Sequence, residues 1–514
     1  MTRANRYLRS LGSNTILLLV NTAYTLITMP VALRSLGAGE FGVWIVASSM
    51  AGYLAMIDLG TSGATVRLLI DHKDHPENGT YGSLIKSALL VQAVQALLIF
   101  GVGLALTPWL AGWMKIAPAL RHEFNVLWLW QVGLLSLNFL GRIGLQLLTA
   151  HQRLDVVNYA TATSLLVSFG LLVILFQRGA GVYSLGCAQT LASLIVLSWT
   201  LFAAFRQGLF PSVRGTVNRL QLRALFGFGS EIFFVALGMQ FITGSQTFIL
   251  TRWLGLEAAA IWAVMTKVFS LVSQLVWRMN VVAGPAFAEM LVRGEQEKLG
   301  RRYRSLFEMT MLAAVWAGLL LALGNRAFVD LWTNGRIQWG PVNDWLLGLW
   351  FVLLTQGGCH NNMIFNTKRL GAATYMYFLE GLAFIALALL VVPRFGLPGM
   401  LVCSIVCTMF FTLNSGTHRV AVLLGVPAWE VWIKWLKPSA YLLAVTLPVG
   451  TALAYLTRDS SLLRLAVCVV PLAVVGALVA ARFCVPAGLG GELVARAPSR
   501  FRRPAARLFG QKPD

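Results

Sequence analysis

Charge is scarce in this chain: 12% of its 514 residues are Asp, Glu, Lys or Arg, whereas 57% are hydrophobic. Soluble globular domains carry about twice that share of charge, so a water-soluble enzyme domain is excluded at the outset. Acid is scarcer still, with 20 Asp and Glu against 41 Lys and Arg. Cysteine is limited to Cys187, Cys359, Cys403, Cys407, Cys468 and Cys484, all within or beside apolar runs. There a thiol acts as a small buried hydrophobe, and neither a disulfide framework, a metal site nor a cofactor is expected. No G-x-x-x-x-G-K-[ST] loop occurs, which removes ATP-driven pumping by this chain alone.

What is present is apolar sequence. Mean hydropathy is +0.71, and runs of about 20 mostly apolar residues, the length that crosses a bilayer as a helix, recur from Leu11 to Ala481. Fourteen can be marked, from 13–33 and 41–66 to 439–456 and 462–481. The expected fold is an all-α polytopic membrane protein of about 14 transmembrane helices. Arg3, Arg6 and Arg9 precede the first run, but that run is too long for a signal peptide's core and lacks a small-residue cleavage site, so it is expected to stay as the first span.

An even number of spans puts both termini on one side. Lys and Arg concentrate on that side, in the stretch from Arg293 to Arg304, at Lys434 and Lys437, and in the C-terminal tail. The positive-inside rule then makes both termini cytoplasmic. The net charge of +21 is read as facing anionic membrane lipids, with no nucleic acid as partner.

An internal repeat is visible at one common offset: Arg34 matches Arg252, Leu36 matches Leu254, Gly37 matches Gly255 and Trp44 matches Trp262. Both sets fall in the outer loop after the first helix of a six-span group. Six is even, so the units point the same way, related by a pseudo-two-fold axis along the membrane normal, with a cavity between two lobes. The expected division is a six-helix lobe over 1–210, a second over 211–425, two extra helices over 426–481 and a basic cytoplasmic tail over 482–514.

The stretch Pro30 to Arg67 resembles the N-terminal signature of bacterial polysaccharide flippases of the Wzx type, in the multidrug/oligosaccharidyl-lipid/polysaccharide (MOP) exporter superfamily. The residues carrying the resemblance are Leu36-Gly37, Phe41-Gly42-x-Trp44, Gly52-Tyr53-Leu54, Asp58-Leu59-Gly60 and Arg67. It implies a flippase that moves an undecaprenyl-pyrophosphate-linked oligosaccharide, a surface polysaccharide precursor, across the inner membrane by alternating access. Its implied partners are that lipid-linked substrate, H+ or Na+ as coupling ion, a polysaccharide polymerase and a chain-length regulator. The second half departs from the pattern, with Val276 at the place corresponding to Asp58.

An ionisable side chain within a span is costly and faces a cavity or a partner. Asp58, Arg142, Glu231, Lys267, Arg278 and Glu380 are such residues, with Lys267 nearest the middle of its span. Lys267, Gln274 and Arg278 are seven and eleven residues apart at most, which puts them on one helical face. A pyrophosphate is held by such cations, so Lys267, Arg278, Arg142, Arg67 and Gln274 are candidate substrate-binding residues. Asp58, Glu231 and Glu380 are candidates for pairing with these cations or for binding the coupling ion. The tenth run carries Gln356 to Asn362, where Asn361 and Asn362 suit sugar hydroxyls and His360 is read as a packing residue. Four polar side chains there predict an irregular helix beside a water-filled cavity.

Three other functions compete. A membrane glycosyltransferase or ligase needs external chemistry, and the longest external segment, near Asn325 to Val342, is too short for a catalytic domain. A cation-coupled drug exporter of the same superfamily needs an acidic cavity, against Arg142, Lys267 and Arg278. A lipid II flippase shares the anionic, polyprenyl-linked substrate and stays open.

Overall fold

The structure, a computed structural model, describes residues 3–74, 79–211, 213, 215–367 and 372–485. Among these the chain is helical and contains no strand. Lipid offers no partner for backbone N–H and C=O groups, so apolar runs of this length satisfy them internally as helices. Among the described residues eleven helices are long and apolar enough to cross a membrane.

Two of the eleven, Gly12–Asp58 and Tyr375–Leu424, measure 47 and 50 residues, far more than one crossing requires. Each contains a glycine with a non-helical backbone, Gly37 at φ 75 and ψ 176, and Gly396 at φ 61 and ψ −140. Each of these elements is therefore two helices meeting at a kink, and these two junctions, with the polar content of the helix Pro341–Asn366, account for the difference from the expected fourteen.

By packing, the chain divides into two compact units, Met1–Ala260 and Ile261–Asp514. The first holds α1 (Arg3–Leu54), α2 (Thr61–His72), α3 (Thr80–Trp113), α4 (Arg121–Gly141), α5 (Ile143–Ala150), α6 (Leu154–Gln177), α7 (Tyr183–Arg206) and α8 (Arg219–Leu254). One buried cluster gathers Val46, Ile99, Phe124, Trp128 and Val132 from α1, α3 and α4. A second gathers Leu69, Leu84, Leu147, Ala204 and Leu225 from α2, α3, α5, α7 and α8.

Helix α9 (Leu256–Met265) straddles the boundary, and the second unit continues with α10 (Lys267–Val292), α11 (Gln296–Thr333), α12 (Pro341–Asn366), α13 (Ala372–Cys407), α14 (Asn414–Leu424), α15 (Lys437–Leu456) and the helical segment Ser461–Cys484. Helices α11 and α12 approach closely at Gly318 and Gly348, where a Cβ on Gly348 would lie 2.4 Å from the Gly318 carbonyl oxygen. Small residues at such a crossing let backbones pack where lipid gives no hydrophobic drive. The six-helix lobes expected from the sequence are a division by repeat rather than by packing, and we carry them as a proposal.

The repeat has a backbone signature. Gly37 adopts φ 75 and ψ 176 and its match Gly255 adopts φ 90 and ψ 176, a region open essentially to glycine alone. Two glycines matched by sequence offset thus turn the chain in the same way.

Candidate functional site

In the first unit the site is built on a break. A single 3-10 turn, Ala55–Asp58, follows α1, and the chain then reverses through Leu59 at φ 49 and Gly60 at φ 76 before α2 begins at Thr61. The break exposes the N–H groups that open α2, and the Asp58 carboxylate answers them: its Oδ2 accepts from the Ser62 backbone N–H at 3.3 Å and its Oδ1 from the Ser62 hydroxyl at 2.7 Å. A carboxylate at a helix N-terminus is favoured by the helix dipole as well.

The same carboxylate pairs with Arg142, whose Nη1 stands 2.6 Å from Asp58 Oδ1. Arg142 sits at the joint between α4 and α5. Its Nη2 donates to Gln95 Oε1 at 2.8 Å, and Gln95 Nε2 in turn donates to the carbonyls of Ile57 and Asp58 at 2.9 and 3.0 Å. The guanidinium lies 4.1 Å from the centre of the Phe139 ring. Arg142 is therefore neutralised in place and ties together α3, the α4–α5 joint and the break. Arg67, the other cation expected here, is exposed on α2 and lies 3.7 Å from Asp71. The side chain of Glu231 lies outside the described residues.

Helix α10 differs. Lys267 is its first residue, following a joint at Thr266, and is half-buried. Neither Lys267 nor the half-buried Arg278 makes an ion pair or hydrogen bond among the described residues. Gln274 is exposed and its Nε2 donates at 3.3 Å to the Ser270 carbonyl one turn back. Seven residues from Lys267 to Gln274 are nearly two turns, so the amide and both cations share a face.

The polar stretch of α12 is helical throughout, which corrects the expected irregularity. His360, Asn361 and Asn362 find lateral partners, while Gln356 Nε2 and His360 Nε2 are buried without a hydrogen bond among the described residues. His360, fully buried, holds the Tyr303 hydroxyl at 2.8 Å through Nδ1 and stacks on Phe307, as a packing residue does. Asn362 Nδ2 donates to the Asn280 carbonyl at 3.1 Å. Asn361, Tyr377, Glu380, Thr412 and Ser415 line a polar cavity of about 10 Å³, room for a single water or bare ion. The Thr412 hydroxyl donates to the Glu380 carboxylate, which has no cationic partner among the described residues. Gln95 and Thr412 are the residues sequence reasoning missed. Gln92 and Gln95, one turn apart within an otherwise apolar run, were the available signal.

Comparison with known proteins places these features. The chain matches the family described as "polysaccharide biosynthesis protein" over residues 8–291. It is 28% identical over 322 residues to the succinoglycan biosynthesis transport protein ExoT of Rhizobium meliloti, covering 61% of this chain and 59% of that protein. The chain thus spans about three fifths of the length of this curated relative. In fold it is similar to an inward-facing MATE-family multidrug transporter of the MOP superfamily, with a TM-score of 0.58 at 14% identity over 78% of this chain and 95% of the other. It is also similar to the lipid II flippase MurJ in an inward closed conformation, at 0.59 and 11% over 93% and 98%.

Proposed function

The chain belongs to the polysaccharide biosynthesis protein family, and on that footing we propose that it is a flippase rather than an enzyme. The proposed cargo is a polyprenyl-pyrophosphate-linked oligosaccharide, carried from the cytoplasmic to the outer leaflet of a bacterial inner membrane by alternating access, with both termini cytoplasmic.

The observation that carries this reading is the contrast in pairing. Arg142 is paired with Asp58, whereas Lys267 and Arg278 stand on one face of α10 without an ion pair or hydrogen bond among the described residues. An uncompensated cation in a span is expensive, and a transporter keeps one where its cargo completes the pair. A pyrophosphate supplies the matching charge and several acceptor oxygens. Organic cations, the cargo of a drug exporter, would be repelled. Glu380, with its cavity and no cation beside it, is our candidate for carrying the H+ or Na+ that drives the cycle. Asn361 and Asn362 retain a secondary part in the sugar path, their amides being largely engaged within the protein.

The test of the reading is a deletion strain. Completed lipid-linked oligosaccharide should accumulate on the cytoplasmic leaflet; if assembly instead stops at a missing sugar, the chain is an enzyme. Accumulation of lipid II alone would identify the cell-wall precursor as cargo.

A further inference from the structure

The basic charge assigned to the cytoplasmic side is of two kinds. Around the start of α11 four cations each have an acid about one turn away: Arg293 with Glu289 at 2.5 Å, Lys298 with Glu295 at 2.7 Å, Arg301 with Glu297 at 3.4 Å and Arg304 with Glu308 at 2.8 Å. The bond from Lys298 holds the Glu295 carboxyl below the usual carboxylate range. These four pairs are neutralised in place.

The segment joining α7 to α8 differs. Arg206, Arg219 and Arg223, with Lys86 on the neighbouring α3, are exposed, and none of the four makes an ion pair or hydrogen bond among the described residues. Their setting is fixed. The Tyr81 hydroxyl donates to the Leu209 carbonyl at 3.1 Å, and the backbone N–H groups of Thr216 and Asn218 donate to Ser83 and Ser87 hydroxyls at 3.1 and 3.4 Å. Glycine permits the close approach: a Cβ on Gly82 would meet the Val213 carbonyl oxygen at 2.3 Å, and one on Gly215 the Ser83 Oγ at 2.1 Å. Asn218 Oδ1 then accepts from Leu220 N–H and caps α8.

Apolar side chains alternate with these cations and stand exposed, Phe205 at 75%, Leu220 at 69% and Val217 at 47%. On the first turns of α8, Arg219, Leu220, Arg223 and Phe226 lie outward while Gln221 and Leu225 are buried. Basic and apolar groups interleaved on one surface match the boundary between phosphate headgroups and acyl chains. An acidic protein or a nucleic acid would satisfy the arginines but leave Phe205 and Leu220 in water.

We propose that Lys86, Arg206, Arg219 and Arg223, with Phe205, Val217 and Leu220 between them, form a docking surface for anionic phospholipid headgroups of the cytoplasmic leaflet, separate from the cations of α10. The leaflet rests on the orientation proposed above. Juxtamembrane cations are drawn to anionic headgroups, and the attraction is screened by salt.

The full chain would be purified with lipid, exchanged into equal phosphatidylglycerol and phosphatidylcholine, and the retained lipids weighed by native mass spectrometry. Wild type should retain phosphatidylglycerol in severalfold excess, and less so at high salt. Arg219→Gln/Arg223→Gln should bring the ratio towards unity, while the self-neutralised pair Lys298→Gln/Arg301→Gln should leave it at the wild-type value. An unchanged ratio in the first variant, or an equal fall in both, overturns the surface. Val217→Cys, probed with an impermeant thiol reagent, reports the leaflet independently. Labelling from the outer face would overturn the orientation and the leaflet with it, whereas inner labelling with an unchanged ratio would overturn the surface alone.

Discussion

Arg142 Nη1 lies 2.6 Å from Asp58 Oδ1, and the pair closes the helix break on which the Asp58-Leu59-Gly60 motif is built. The carboxylate serves two masters, the guanidinium and the N-terminus of α2. Removing it strands both.

Asp58→Asn should therefore lower the stability of the purified protein by about 3 kcal/mol, the low end for taking one partner from a buried pair, because both side chains keep some exposure. Asp58→Asn/Arg142→Gln should recover part of that loss. Thermal melting of the two singles and the double checks it, and strictly additive losses would show that the pair is not coupled.

Gly37→Ala and Gly255→Ala should each cost about 1–3 kcal/mol, since the new Cβ is forced into a backbone region that side chains rarely adopt. Both sites have open space around them, so the loss would come from backbone strain rather than collision. Gly101→Ala, at a helical position that is also open, is the control and should be neutral or stabilising. Equal melting temperatures for all three would remove the shared turn as the physical basis of the repeat.

Tyr303→Phe should destabilise by about 1–3 kcal/mol by stripping buried His360 of its hydroxyl partner, while transport per molecule stays at the wild-type rate. Loss of transport at unchanged melting temperature would move His360 from packing into the transport path.

If the proposed parallel repeat sets the Arg34 and Arg252 turns on the outer face, cysteine placed at Ser35 or at Leu256 should react with an impermeant thiol reagent in intact cells. Labelling of only one would break that arrangement.

Much of this was legible in the sequence. Hydropathy alone dictates an all-helical membrane chain, and the stretch from Pro30 to Arg67 points to the polysaccharide family that the match over residues 8–291 shows. Gln274 is exposed and Lys267 makes no ion pair or hydrogen bond among the described residues, and the polar stripe on α10 stands as our proposal. The partners were harder to read. Gln95 and Arg142 are 47 residues apart in the chain, and no periodicity announces that an amide on one helix will brace a guanidinium on another. The irregular helix expected at Gln356 to Asn362 failed for a related reason: His360, Asn362 and Asn361 each find a partner sideways in Tyr303, Asn280 and Tyr377, which a single run of sequence cannot reveal. The expected fourteen runs are still legible inside the long elements, because Gly396 leaves helical geometry and makes Ala372–Cys407 two helices meeting at a kink.

The central claim is that the unpaired cations of α10 take the pyrophosphate, and the most direct measurement is the rate at which reconstituted protein flips a polyprenyl-pyrophosphate-linked oligosaccharide. Lys267→Ala should abolish flipping at near wild-type abundance and melting temperature, and Lys267→Arg should restore part of it, since the charge rather than the exact shape is what a mobile polyanion reads. Arg278→Lys should likewise retain more activity than Arg278→Ala. A well-folded Lys267→Ala protein that flips at the wild-type rate would contradict the account.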